Sequence, residues 1–412
     1  MFARVTRVDL NFPLRSNRMK KLVRILMSIL LVSILSMSVL ACNKDGESST
    51  ADRTVEPMQF SYNLEEDDDG NQTYTLTEFS LSAAAKEFVD DGNWAELAKL
   101  FNEYYKVTTY TAENVRTLTI ANTHADLPVT KIAANAITNQ SFITELVIPD
   151  SVTEIELGAF VGLSSLEKIS LPFVGNKKGA VGAGKLFGYI FGSVGGTGLT
   201  SVTQNYNEGT SENTATYYVP TSLTTVVVTG EIKAEDVTVN YYINDNDEMV
   251  IVNEENSLPE GEEQLSVTFV SYENSALQPF AFYGITTLTS FEFNSCTAIP
   301  DYTFYGCTGF KTLSFADSIT SIGKYAFANC TSIRTLSLNK VTDILEGAFS
   351  GCTAIGKNSA TEQNTVNFVS VSNLGKDAFK GCTSLSKEKV VNLTLANKED
   401  AFDKDFFKVD EE

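Results

Sequence analysis

The chain has 412 residues, 43% hydrophobic and 20% charged, with 26 Gly and 9 Pro, a globular composition and neither a disordered nor a collagen-like one. Asp and Glu number 52 against 31 Lys and Arg, for a formal charge of −21. Seven of those basic residues but only one acid, Asp9, fall within residues 1–41, so the remainder is more acidic still. This excludes nucleic acid as a partner and a polybasic grip on anionic lipid, both of which need clustered Lys and Arg, and the single histidine, His124, excludes centres that need two.

In chain order, Lys20, Lys21 and Arg24 precede an uncharged run over residues 25–41 that ends in Val39-Leu40-Ala41-Cys42. A basic start, an apolar stretch and a small residue before the cut predict a secretory signal over 1–41, with Met19 as an alternative start. The cysteine at that boundary resembles the lipobox of bacterial lipoproteins. The resemblance implies cleavage before Cys42, lipid attachment there, and a membrane partner reached through that anchor. The other reading is an uncleaved anchor over residues 22–41, since about 20 apolar residues span a bilayer. Either places the body outside the cytoplasm, lipid-anchored and at the cell surface in the first case. Residues 42–56 are small and polar and read as a tether. Residues 57–110 then alternate at Met58, Phe60, Tyr62 and Leu64 and again at Tyr74 and Leu76, which predicts a hairpin. Phe88, Trp94, Leu97, Ala98, Leu100 and Phe101 have helical spacing over 83–105, and together these elements predict an N-terminal cap.

Residues 111–397 repeat. Tyr302-Thr303-Phe304-Tyr305-Gly306-Cys307-Thr308 leads to Phe310, Leu313 and Phe315, and Tyr325-Ala326-Phe327-Ala328-Asn329-Cys330-Thr331 leads to Ile333, Leu336 and Leu338. Ala348-Phe349 with Cys352, and Ala378-Phe379 with Cys382, continue the pattern, and Ala159-Phe160 and Ala281-Phe282 open it without the cysteine. From Phe282 the key ring recurs after 22, 23 and 22 residues, then after 30, where residues 357–364 are inserted. Ile137, Ile143, Leu146 and Ile148, and before them Val115, Leu118 and Ile120, extend the series toward the N-terminus.

A period in the low twenties with an L-x-x-L-x-L core is a leucine-rich-repeat signature: the alternating apolar positions face one side of a short strand, and stacking buries what one repeat cannot. The Ala-Phe and Gly-Cys-Thr elements resemble the BspA-type repeats of bacterial surface proteins. The expected fold is a leucine-rich-repeat solenoid, an α/β-type horseshoe rich in β, with a parallel sheet on its concave face. Phe160, Phe282, Phe304, Phe327, Phe349 and Phe379 are its expected core rings, with Cys307, Cys330, Cys352 and Cys382 as buried free thiols. Equivalent cysteines on stacked rungs point the same way and cannot converge on one metal or reach disulfide geometry, so no metal site is expected. An inserted hairpin is expected over 233–276, from the alternation at Val237, Val239, Tyr241 and Ile243, and an acidic C-terminal cap over 398–412.

Three segments carry a trace of chemistry. Residues 179–185 match the first seven positions of a nucleotide-binding Gly-rich loop, but Leu186 stands where the metal-binding hydroxyl belongs. Residues 65–70 resemble the start of a calcium loop whose twelfth position would be Leu76 instead of Glu, and residues 244–248 lack the required Gly. His124 lies in a polar loop with no nucleophile elbow. No catalytic residue and no cofactor is expected. The outward strand positions, among them Thr119, Lys168, Ser170, Glu292, Lys311, Ser314, Arg334 and Ser337, are the candidate binding residues for a protein or glycan. The BspA resemblance implies adhesion to host matrix or neighbouring cells. The alternatives are an envelope scaffold without an external ligand, or a hydrolase seated in 57–110 or 233–276.

Overall fold

The computed structural model describes residues 55–407 apart from 67–69, 209–212, 233–234, 244–248, 253–256, 260–263, 273–274, 358–363 and 405. The expected signal, Cys42, nearly all of the tether, most of the first acidic turn, the 244–248 turn, most of the 357–364 insertion and the end of the acidic tail lie outside them.

Strands Met58–Glu66 and Gln72–Leu81 pair antiparallel, with a bulge at Ser61–Tyr62. The helical pattern that follows is two helices, not the single one its apolar spacing suggests: α1 (Ala83–Asp90) and α2 (Trp94–Tyr105). The break has a local cause. Gly92 takes φ 65°, which an L side chain resists, and the Asn93 side chain accepts the Glu96 N–H at 3.3 Å to start a new helix. The Ser82 hydroxyl caps α1 in the same way, accepting the Ala85 N–H at 3.2 Å. The hairpin's second strand also pairs, in parallel, with Leu127–Ile132 of the first repeats.

From there the chain winds in rungs, mostly strand and turn, with two parallel ladders. In the first, Thr117–Thr119, Glu145–Val147, Lys168–Leu171, Thr225–Ile232 and Ser290–Cys296 pair in that order. Their central residues Leu118, Leu146, Ile169, Val226 and Phe291 stand in one row, the first four fully buried. The second ladder was not legible as a separate strand row. Leu127–Ile132 pairs with Glu154–Ile155, and further on Ala298–Ile299, Ser321–Ile322, Asp343–Ile344 and Asn373–Leu374 pair in sequence. Each segment offers only one or two inward apolar residues, such as Ile299, Ile322, Ile344 and Leu374, too few to show an alternation.

The Ala-Phe turns close each rung, and their rings form a file. Phe282 stacks on Phe304 with centroids 5.2 Å apart and planes 1° from parallel. Phe304–Phe327, Phe327–Phe349 and Phe349–Phe379 continue at 5.1, 5.6 and 5.2 Å. The 30-residue step before Phe379 leaves the file intact. At one end Phe187 and Phe191 bridge from Phe282 to Phe160, and at the other Phe402 stacks on Phe379 at 5.3 Å. Spacing near 5 Å follows from rungs set by backbone pairing at about 4.8 Å.

The inserted segment is a three-stranded antiparallel sheet, Glu235–Ile243 between Met249–Ile251 and Leu265–Ser271. Two antiparallel strands, Leu199–Asn205 and Thr214–Pro220, belong to another elaboration, and its Gln204 is fully buried with its carbonyl accepting the Gly188 N–H at 2.8 Å.

One expectation needs correction. The strands do not make one broad sheet. Among the described residues, Ser290–Cys296 pairs with Thr225–Ile232 but not with the next repeat, whose strand Thr312–Ser314 pairs only with Thr335–Ser337. The reason lies in the partner strand. The pairing of Thr225–Ile232 with Ser290–Cys296 carries an irregularity between Val228 and Glu231, and such bulges bend and overtwist a strand. Phe291 and Phe293 are correspondingly only half-buried, and Phe291 lies against Phe304 and Phe310 at 4.7 and 5.7 Å.

Candidate functional site

The outward residues of the first ladder fall into two groups, one on each side of that break. On the N-terminal side, Thr119, Val147, Ser170, Val227 and Glu292 share one row, so the row is interrupted by two valines and is not uniformly polar. Thr119 and Glu292 are exposed and Ser170 is half-buried. Lys168 stands in the adjacent row beside Glu145, and their side chains form an ion pair at 3.2 Å across the two strands. Arg116 is held too: its guanidinium lies 4.8 Å from the Trp94 ring, and its Nε donates to the Phe142 carbonyl at 2.9 Å. Lys168 and Arg116 thus both have partners within the chain.

On the C-terminal side the situation differs. Ser314 and Ser337 are opposed on paired strands, and Lys311 and Arg334 immediately precede those strands, with the Arg334 N–H donating to the Lys311 carbonyl at 2.8 Å. The Gly356 N–H donates to the Arg334 carbonyl at 3.0 Å, which brings Lys357 to the third rung. Lys311, Arg334 and Lys357 line a groove of 420 Å³ with Thr331, Ser332, Thr353, Ala354, Thr383 and Ser384. The three threonines are those that follow Cys330, Cys352 and Cys382, so each inward sulfur sets the next side chain outward. Among the described residues, no ion pair involves Lys311, Arg334 or Lys357. Sequence reasoning picked out Lys311 and Arg334 but missed Lys357 and the hydroxyls. The signal was a cation recurring every 23 residues, obscured because Lys357 abuts the inserted stretch.

The residues with reactive chemistry are spent on the interior. Phe160, Phe282, Phe304, Phe327, Phe349 and Phe379 are buried, and each ladder thiol donates to the carbonyl of the Phe one rung back. Cys307 Sγ donates to Phe282 at 3.1 Å, Cys330 to Phe304 at 3.1 Å, Cys352 to Phe327 at 3.0 Å and Cys382 to Phe349 at 3.3 Å. Cys296 lies off this row and donates to Ala298 at 3.4 Å. All five are buried and unpaired, and burial pushes their thiols up, those of Cys296 and Cys382 to about 12. His124 lies on a two-residue strand, not in the loop its polar neighbours suggest, because Ala125 and Asp126 adopt φ 45° and 66° and form a tight hairpin turn. Its ring stacks on Tyr62 at 4.2 Å and meets Tyr74 edge-on at 4.8 Å. The Gly-rich loop coils into a 3₁₀ turn, Gly182–Lys185, whose Gly184 carbonyl accepts the Asn176 N–H, while Lys185 lies 5.0 Å from the Phe280 ring. That lysine is turned toward the protein and away from any phosphate cradle. Among the described residues no group of three or more His, Cys, Asp or Glu side chains could hold a metal ion, and no helix is long and apolar enough to cross a membrane.

Stacked rungs, two parallel ladders and an Ala-Phe file define a leucine-rich-repeat protein. The BspA type Leucine rich repeat region matches in six copies over residues 101–177 and 275–405, just over half of the chain, and the chain belongs to that family. Among solved structures it is similar to a leucine-rich-repeat protein of T. pallidum, with 13% identity over 80% of this chain and 89% of that one and a TM-score of 0.31. It is also similar to a leucine-rich-repeat protein of Bacteroides ovatus, with 16% identity over 79% and 92% of the two chains and a TM-score of 0.24. A leucine-rich cell surface protein of Faecalibacterium prausnitzii aligns at 16% identity over 84% and 78%, with a TM-score of 0.28. No curated protein matches the chain.

Proposed function

We propose that the chain is an extracytoplasmic lipoprotein, anchored through a lipid on Cys42, that displays its repeat stack at the bacterial surface and binds a protein or glycan on a host or neighbouring cell. The observation that carries the reading is the stack itself. Rungs stacked from residue 117 to residue 391, in ladders that break after Ser290–Cys296, present rows of hydroxyl and charged side chains over a continuous buried core. Such surfaces bind extended partners through many modest contacts. Binding without catalysis is supported by where the reactive groups lie: the thiols face the core, and His124 is committed to Tyr62 and Tyr74. In this reading the hairpin and helices of 57–110 and the C-terminal segment from residue 398 are end caps; the packing of Phe79 on Phe142 and of Phe402 on Phe379 supports it.

The test uses cells expressing the full chain or its Cys42→Ala variant. Wild-type protein is expected to take up labelled fatty acid, to be removed by protease applied to intact cells, and to raise adhesion to immobilised matrix proteins or partner cells, while Cys42→Ala loses all three. Labelled, protease-accessible protein that raises no adhesion would leave an envelope scaffold as the reading. Protein that takes up no label and resists protease would end the proposal.

A further inference from the structure

We propose that the groove of Lys311, Arg334 and Lys357 binds an acidic oligosaccharide, its negative groups seated on successive rungs. This deepens the reading of the chain as a surface-displayed binding protein, and rests on it, by naming a ligand class and a place. The argument begins with charge. In a chain of net −21, three cations are brought onto three neighbouring rungs, linked by the Arg334-to-Lys311 and Gly356-to-Arg334 hydrogen bonds. Neighbouring rungs lie about 4.8 Å apart, and like charges on paired strands oppose each other. On the other side of the sheet break the same fold resolves this with an acid, as Glu145 does for Lys168 at 3.2 Å. No carboxylate does so here among the described residues. A fourth cation, Lys389, is fixed beside the groove, its Nζ donating to the carbonyls of Gly356 at 2.6 Å and Ser384 at 3.3 Å. An incoming anion would supply the negative partner that the three cations lack among the described residues.

The lining selects the kind of anion. Among the described residues the lining apart from the cations is hydroxyl, with Ala354 the sole apolar side chain and no aromatic ring. A peptide would lack the apolar or aromatic pocket that anchors most peptide recognition. A sugar offers hydroxyl partners on every ring, matched to Thr331, Thr353 and Thr383, which recur once per rung, a pitch close to the advance per monosaccharide of an extended glycan. A long nucleic acid would extend past the three cations over a chain of net −21, whereas a short saccharide can place its charges on them.

Purified full chain is titrated at 0.15 M salt (calorimetry) with a heparin-derived hexasaccharide, a uronate-only heparosan hexasaccharide, a neutral dextran hexamer and hexaglutamate. We expect binding of one or both acidic saccharides and none of dextran. Lys311→Ser with Arg334→Ser should weaken it about tenfold or more and flatten its salt dependence, while Lys177→Ser, at an exposed lysine elsewhere, leaves it unchanged. The sulfated and uronate-only arms tell which acidic group is read. Three results overturn the proposal: neither acidic saccharide binds, the double variant binds as well as wild type, or hexaglutamate binds as tightly as the saccharide. An unchanged melting transition confirms that the double variant is folded. Because purified protein is used, failure here leaves surface display standing, and loss of adhesion in the cell assay leaves groove binding standing.

Discussion

Each cysteine-bearing repeat buries a ring and a sulfur that are tied together, since the sulfur of one rung donates to the backbone of the ring one rung before it. Removing a ring from the middle of the file opens a cavity that rungs locked by backbone hydrogen bonds cannot collapse. Phe327→Ala is expected to cost about 3–5 kcal/mol, measured by urea unfolding. The thiols make a separate prediction. Burial holds Cys296 and Cys382 up at about 12, against an ordinary value of 9.0 when the chain unfolds. The unfolded state therefore loses these protons first. The stabilisation is complete below pH 9 and is lost as pH rises toward the folded values, at about 1.4 kcal/mol per pH unit for each thiol. Urea midpoints measured from pH 8 to 10 should be flat and then fall, and Cys330→Ala with Cys352→Ala should make the fall shallower.

The rungs as elements depend on close backbone approach as much as on apolar burial. At Gly309 an added Cβ would lie 2.2 Å from the Leu288 carbonyl oxygen and 2.6 Å from that of Thr286, both backbone atoms with little room to retreat. Gly309→Ala is expected to cost about 1–3 kcal/mol by overpacking, although no side chain is lost. The Lys168–Glu145 pair sits on paired strands but keeps much of its surface in water, so a double-mutant cycle should give a coupling of about 0.2–1 kcal/mol that fades with salt. The helix break shows how local chemistry overrides periodicity. Phe88, Trp94, Leu97 and Phe101 read along the sequence as one helical stretch, yet the Asp91-Gly92-Asn93 turn ends one helix and caps the next.

At the scale of the whole molecule, neighbours supply what each rung lacks. The last full repeat is finished by the C-terminal segment: the Asp377 and Phe379 N–H groups donate to the carbonyls of Asp400 and Ala401 at 2.8 and 2.7 Å. Deleting residues 398–412 should abolish hydrogen-exchange protection at Phe379 while leaving that at Phe282, several rungs away, largely unchanged. Equal loss at both would mean that the stack unfolds as one unit.

The repeat period and the inward face of most rungs were legible in the amino-acid sequence, because each rung must bury much the same aliphatic residues and most add a ring, and that need leaves a recurring trace. Phe282, Phe304, Phe327 and Phe349 could be aligned by counting. The second ladder of Ile299, Ile322 and Ile344, the break after Ser290–Cys296 and the gathering of Lys311, Arg334 and Lys357 with the threonines could not. Those features arise from pairing and twist between segments some twenty or more residues apart, and surface side chains bear no burial constraint that would mark them along the chain. Which cation finds an acid and which is left facing a groove was settled only when the rungs were laid against one another.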